Sequence, residues 1–164
     1  MANQKWSVVT RIIHWTIAIL LLATWISIEY VDNLDLHKSL GVVVLLFAVA
    51  RIINRITAAD PVKLNNPKWQ KIAAESTHGL LYLLLLAMPI LGILRSVYAG
   101  YPVSVFAIFE IPVFVTPDRE IAKILHEWHT NIVWTLVLML TAIHIFGALY
   151  NQFILKNNVI NRIR

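Results

Sequence analysis

Four long apolar stretches, each flanked by polar or charged residues, constrain this chain more than any other feature. They cover residues 12–28, 40–50, 79–94 and 132–154. A helix needs roughly 20 predominantly apolar residues to cross a hydrocarbon core of about 30 Å. Arg51 and Arg55 can lay their stems along the second stretch and keep their charges in water, which extends that helix to residue 56. The pattern predicts four transmembrane helices, at about residues 8–29, 37–56, 73–95 and 124–155.

The composition agrees with a chain that lies in a lipid bilayer. Hydrophobic residues make up 59% of the sequence and charged residues 14%, whereas soluble domains carry roughly 25% charged residues. The apolar stretches are continuous and do not alternate with polar residues, which disfavours the strands of a membrane barrel. We therefore predict an all-α, integral membrane four-helix bundle that residues 1–164 form as a single domain.

The charges outside the predicted spans differ between the two sides of the membrane. One side carries ten basic and two acidic residues, namely Lys5, Arg11, Arg51, Arg55, Lys63, Lys68, Lys71, Lys156, Arg162 and Arg164 with Asp60 and Glu75. The other side carries four basic and seven acidic residues, namely Lys38, Arg95, Arg119 and Lys123 with Glu29, Asp32, Asp35, Glu110, Asp118, Glu120 and Glu127. Because basic segments stay in the cytoplasm, both the N- and C-termini are predicted to be cytoplasmic. The net charge of +5 is the sum of +8 on the cytoplasmic side and −3 on the other side of the membrane. It therefore reflects the orientation of the chain in the membrane and does not indicate a nucleic-acid partner.

The third connection, of about 35 residues, is too apolar for a solvated loop. Its segment GYPVSVFAIFEIPVFV covers residues 100–115. We expect this segment to lie along the membrane interface, where apolar side chains can reach the acyl chains.

The six histidines stand out because the chain has no cysteine, so that a metal would be held by histidine, methionine or carboxylate. Placing an ionisable side chain within a membrane span costs free energy, so we expect such a residue to have a function. Four histidines match in depth. His14 and His144 are predicted near the inner ends of the first and fourth helices, and His37 and His129 near the outer ends of the second and fourth.

The spacing along the fourth helix favours His129 over His126 as the outer residue. The 15 positions between His129 and His144 leave an angular offset of about 60° and a rise of about 22 Å. His126 would return to the same face but would stand about 27 Å from His144, at or beyond the membrane surface. We expect a local helical irregularity or rotated cofactor planes near His129, with His126 as the alternative.

Two facing histidines suit haem better than zinc. Zinc would need a third or fourth ligand, and no carboxylate or cysteine is predicted at either depth. Haem needs two axial ligands, and glycines such as Gly41, Gly79 and Gly92 would let a flat ring approach the helices. His78, at the inner end of the third helix, is expected to bond a cofactor propionate or to line a substrate pocket. A hydrogen-bonded or interfacial role is the ordinary alternative for each histidine alone, but the match in depth favours ligands.

The sequence resembles the bacterial cytochrome b561 family over nearly its whole length. The similar motifs are RIIHW at 11–15, HKSLG at 37–41 followed by Arg51 and Arg55, HGLLY at 78–82 with Pro89 and Gly92, GYPVSVF at 100–106, LHEWH at 125–129 and IH at 143–144. The resemblance implies a multi-pass protein of the bacterial inner membrane with two b-type haems. The iron of one haem would be held by His14 and His144 and that of the other by His37 and His129, with Arg51, Arg55 and His78 as further cofactor-binding residues.

The same resemblance implies electron transfer between a periplasmic-side donor and the ubiquinone pool. One type of member oxidises superoxide and reduces ubiquinone, which would make the chain an oxidoreductase. Others are membrane anchor subunits that pass electrons for a partner dehydrogenase or hydrogenase, and this is the alternative function. Two axial histidines leave iron no open position, so outer-sphere electron transfer with superoxide or a periplasmic electron carrier is expected. For superoxide, Arg95 and Lys123 are candidates for steering the anion.

Overall fold

Three long helices form the first part of the fold in the computed structural model, which describes residues 5–58 and 66–164. They are α1 (Val8–Glu29), α2 (Leu34–Thr57) and α3 (Lys68–Tyr98). The side chains of Ser7 and Asn33 cap α1 and α2 by accepting hydrogen bonds from the backbone N–H groups of Thr10 and Leu36, which satisfies donors that a helix start leaves free. Asp60 and Lys63, which entered the charge comparison, lie outside the described residues.

The last long helical segment, Arg119–Ile154, is interrupted twice. It consists of α4 (Arg119–Glu127), a first π turn (Trp128–Val133), α5 (Trp134–Leu149) and a second π turn (Tyr150–Ile154). Asp118 caps its start by accepting hydrogen bonds from two backbone N–H groups. The irregularity expected near His129 is thus confirmed, and it takes the form of the first π turn.

Four helical segments in the described part of the chain are long and apolar enough to cross a membrane. Large apolar side chains point away from the bundle on each of them; Ile19, Leu46, Leu83 and Phe146 are 66%, 64%, 61% and 70% exposed. Such exposure would be costly in water and suits a lipid environment. The predicted all-α membrane bundle of four helices is confirmed.

The third connection contains a short β-hairpin that the sequence did not predict. Strands β1 (Val103–Val105) and β2 (Phe109–Ile111) pair antiparallel. At the turn, Phe106 and Ala107 have φ angles of 50° and 58°, the left-handed conformation that usually selects glycine or asparagine. The hairpin was missed because no such residue marks its turn.

This hairpin packs on the outer part of α2. Val103 and Val105 form a buried cluster with Val42. The buried hydroxyl of Ser39 accepts a hydrogen bond of 2.8 Å from the backbone N–H of Phe106. The connection therefore covers one end of the bundle close to His37.

A short C-terminal helix, α6 (Val159–Ile163), lies beside the start of α1. The indole N–H of Trp15 donates to the carbonyl of Ile163 at 3.0 Å, and the backbone N–H of Trp6 donates to the carbonyl of Arg162 at 3.0 Å. These hydrogen bonds fix the two ends of the described chain to each other.

Candidate haem sites

Two pairs of histidine rings face each other at different levels of the bundle. The ring centres of His14 on α1 and His144 on α5 are 6.1 Å apart, and those of His37 on α2 and His129 in the first π turn are 6.2 Å apart. These are the pairs predicted from depth along the helices. The last helical segment contributes one ring to each pair. We call His14 and His144 the inner pair and His37 and His129 the outer pair, after the orientation predicted from the sequence.

The ring separations match the requirement of a metal ion with two axial imidazoles. Two metal–nitrogen bonds of about 2 Å and two ring radii of about 1 Å place coaxial imidazole centres about 6 Å apart. Direct packing of the two rings would not need the same separation in both pairs. The residues present therefore fit a haem iron at each level.

The helices that carry the paired rings leave space between their backbones. α1 packs closely on α2, α2 on α3, and α3 on α4 and α5. Within the described ranges, no comparable packing joins α1 to α5 or α2 to the first π turn. A flat macrocycle needs such a gap between the helices that supply its axial ligands.

Hydrogen bonds fix the ring orientations of the outer pair. Nδ1 of His37 lies 2.9 Å from the carbonyl oxygen of Thr24, and Nδ1 of His129 lies 2.9 Å from that of Met88. A carbonyl oxygen can only accept, so each neutral imidazole carries its proton on Nδ1 and keeps the lone pair of Nε2 for a metal. Ligating histidines in proteins are commonly oriented by such a bond.

The first π turn changes the register between His129 and His144. A π turn accommodates about one extra residue, so that the 15 positions act as 14. Fourteen positions place His129 and His144 about 40° apart around the helix axis, whereas 15 positions of a regular helix place them about 60° apart in the opposite direction. His126, the alternative to His129, is exposed on α4, and the ring that faces His37 is that of His129.

Three glycines of the bundle have open space beside them. A Cβ added to Gly41, Gly79 or Gly147 would meet nothing within 4 Å, so open space lies beside all three. Gly92 differs because a Cβ there would lie 3.0 Å from Cε1 of His129. The missing side chain of Gly92 leaves room for the ring of His129.

The ring of His78 lies beside the inner pair, although the sequence suggested no histidine partner for it. Its ring centre is 5.1 Å from that of His144. Arg51 donates to the carbonyl of Thr10 at 2.7 Å, one helical turn from His14. The guanidinium carbon of Arg55, one turn further along α2, lies 5.7 Å from the ring centre of Trp6. The two arginines bring positive charge to the end of the bundle that holds the inner pair.

Two cations line a cavity at the outer pair, and one of them was not among the predicted site residues. The cavity is lined by both histidines and by Gly41, Gly92, Lys38 and Arg95. Lys123 is not among its lining residues and is exposed on α4. Lys38 follows His37 directly in the sequence, and this adjacency is the signal that could have identified it.

Larger metal-binding groups are not found in the described part of the chain. No three or more of its histidine, aspartate and glutamate side chains come together in a way that could hold a metal ion. Each histidine pair offers two imidazoles, which is the number of protein ligands that a haem iron takes.

Comparisons with known proteins identify the family of this chain. Residues 5–164 match the family model described as prokaryotic cytochrome b561. The chain is 31% identical to cytochrome b561 homolog 2 of Escherichia coli (strain K12), over 97% of this chain and 90% of that protein. It is also 31% identical to cytochrome b561 homolog 1 of the same organism, over 92% of this chain and 91% of that protein.

A more distant relative is named for an activity. The chain is 25% identical to the probable superoxide oxidase CybB of Yersinia pestis, over 98% of this chain and 96% of that protein. The membrane helices together with the family model place the chain in the bacterial inner membrane as a multi-pass protein. The chain belongs to the prokaryotic cytochrome b561 family of b-type haem proteins.

Proposed function

We propose that this chain is a dihaem cytochrome that transfers electrons between a donor on the outer side of the membrane and the ubiquinone pool. The observation that carries the proposal is the presence of two histidine pairs with ring separations of 6.1 and 6.2 Å at two levels of one bundle. Two histidine pairs with nearly the same ring separation suit two cofactors of the same kind. The pairs share the last helical segment, along which their residues are separated by about 21 Å when the π turn is counted.

Each haem would supply a one-electron redox centre, and the chain's own residues would hold and insulate it. His14 and His144 would hold the haem at the inner site, and His37 and His129 would hold it at the outer site. A haem held by two histidines supplies one-electron transfer and leaves no ligand position for a substrate. Exposed apolar side chains on the outward faces of the helices would keep the sites within lipid.

The positive side chains would neutralise the propionates of the cofactor. Arg51, which donates to the carbonyl of Thr10, and Arg55, one turn further along α2, are the candidates at the inner site. His78, whose ring centre lies 5.1 Å from that of His144, would donate a hydrogen bond there. A guanidinium suits a carboxylate because it can donate two parallel hydrogen bonds. Lys38 and Arg95 are the corresponding candidates in the outer cavity.

The proposed orientation has both termini in the cytoplasm and the outer pair facing the periplasm. It rests on the unequal distribution of lysine and arginine between the two sides of the membrane, which correlates with topology. A reporter fused after residue 164 should then be active only if it functions in the cytoplasm. Periplasmic activity of that fusion would reverse the direction assigned to the electron path.

Superoxide is the donor that we propose, with ubiquinone as the acceptor. The outer cavity places the two cations Lys38 and Arg95 beside His37 and His129, and cations around a site raise the encounter rate of a small anion. A relative carries the name of a probable superoxide oxidase. Lys123 on α4 stays a candidate for steering at longer range.

A reduced-minus-oxidised spectrum with haem quantitation on purified protein tests the cofactor part. The expected result is two b-type haems per chain, one lost in His14→Ala and the other in His37→Ala. Superoxide, added to the oxidised protein with ubiquinone in excess, should then reduce haem and yield ubiquinol. Two haems without superoxide-driven reduction, together with a dehydrogenase that co-purifies in mild detergent, would favour the alternative role as a membrane anchor subunit.

A further inference from the structure

A groove on the outward face of α1 is separate from both histidine pairs. It has a volume of about 410 Å³ and lies between α1 and the C-terminal residues Ile163 and Arg164. Ile12 lines it, whereas His14 is two positions further along the helix and therefore about 200° away around its axis. The groove thus opens towards lipid and not towards the inner histidine pair.

The wall that α1 gives the groove is an apolar stripe at helical spacing. Val8, Ile12 and Ile19 line it and are 59%, 59% and 66% exposed. Positions four, seven and eleven residues apart lie on one face of a helix. An acyl chain would cover this stripe along its length.

Two arginines line the same groove, and no acidic side chain among the described residues does so. The Nη1 atom of Arg11 donates to the backbone oxygen of Arg164, but its Nε atom is buried and has no hydrogen-bond partner within the described ranges. A buried donor without an acceptor is unfavourable. A phosphate oxygen would satisfy it once the guanidinium group turns towards the groove, because guanidinium groups bind phosphate through two adjacent N–H groups.

We propose that this groove binds one anionic phospholipid, with its phosphate at Arg11 and Arg164 and an acyl chain along the apolar stripe. Basic pockets beside membrane helices recognise anionic head groups through such a combination of charge and apolar surface. The lipid would also contact Trp15, which lines the groove while its indole N–H is bonded to the carbonyl of Ile163. Bound lipid would therefore hold the C-terminal segment against α1.

Native mass spectrometry of the full chain in mild detergent tests the proposal, with phosphatidylglycerol and phosphatidylethanolamine added at equal concentrations. We expect at least fivefold more adducts with phosphatidylglycerol. The double variant Arg11→Gln and Arg164→Gln should lose this preference. The matched control Lys68→Gln and Lys71→Gln removes two basic residues at the start of α3 and should keep it.

A second variant separates lipid binding from the effect of charge on folding. Ile12→Trp fills the groove, leaves both arginines in place, and should reduce phosphatidylglycerol adducts to a similar degree. Equal adducts with the two lipids in the wild-type protein would overturn the proposal. Retention of the preference in both the double arginine variant and Ile12→Trp would overturn it as well.

Discussion

A Cβ atom on Gly92 would lie 3.0 Å from Cε1 of His129, closer than two carbon atoms approach without displacement. The imidazole cannot turn away freely, because its Nδ1 is hydrogen-bonded to the carbonyl of Met88 on the same helix as Gly92. The glycine in α3 therefore determines how closely His129 approaches that helix. The position of the proposed outer ligand depends on a residue that would not touch the iron.

Gly92→Ala should therefore impair the outer haem site. Forcing an extra methyl group into a packed site costs about 1–3 kcal/mol, and here the cost falls on the orientation of His129. We expect the haem content to fall from two towards one per chain, with the inner haem retained. Haem quantitation and the reduced spectrum measure this, with Ile90→Ala on the lipid side of α3 as the control. A Gly92→Ala protein with two haems and an unchanged spectrum would show that the close contact is unimportant.

The first π turn leads to a prediction about chain length between His129 and His144. Deleting Ile132 leaves 14 positions, which a regular α-helix places within about 40° of one face. Inserting one alanine after Ile132 gives 16 positions, which act as 15 while the π turn remains, so that His129 is turned by about 100° from its present direction relative to His144. We expect the deletion to retain both haems and the insertion to lose one.

Haem quantitation on the two length variants distinguishes this register effect from simple damage to the helix. Damage would affect both variants alike, since each changes the length by one residue. Retention of both haems in the insertion variant would mean that the π turn does not set the register.

Much of this arrangement can be predicted from hydropathy along the sequence. Hydropathy predicts where the chain enters and leaves the bilayer, and the position of each histidine within its span then predicts its depth. His14 and His144 could be matched in this way, as could His37 and His129, and their rings do face each other. Ligation itself stays a prediction.

Other features depend on contacts that hydropathy does not encode. The hairpin turns at Phe106 and Ala107, whose positive φ angles are held by tertiary contacts such as the hydrogen bond to Ser39. The distance between His78 and His144 depends on how α3 packs against α5. The sequence predicted an irregularity near His129 but not that it would be a π turn over Trp128–Val133.

Replacing each of the two neighbouring histidines in turn should identify the outer ligand. His129→Ala should remove one haem because its ring faces that of His37 at 6.2 Å. His126→Ala should leave two haems, because His126 is exposed on α4. The haem-to-protein ratio of the two purified variants measures the difference. Loss of haem in His126→Ala alone would reverse the assignment.

The hydroxyl of Ser39 should stabilise the hairpin against α2. Ser39 is 2% exposed and accepts a hydrogen bond from the backbone N–H of Phe106. Ser39→Ala leaves that N–H without its acceptor, which costs about 1–3 kcal/mol when the donor is buried. Faster amide hydrogen exchange at residues 103–111 is the expected result. The variant Thr57→Ala, which removes an exposed hydroxyl bonded within α2, should leave exchange in the hairpin unchanged.

Arg95 and Lys123 should differ in their effect on superoxide-driven haem reduction. Arg95 lines the cavity at His37 and His129, whereas Lys123 does not. A charge close to the site acts on the anion at shorter range and is screened less by salt. Arg95→Gln should slow the reduction severalfold, while Lys123→Gln should change it by less than twofold and mainly at low ionic strength. Stopped-flow absorbance at several salt concentrations measures both rates, and reduction by dithionite should be equal in the two variants. If Arg95→Gln and Lys123→Gln slowed the reduction equally, the cations would attract superoxide through their summed charge. The cavity would then have no special role in steering the anion.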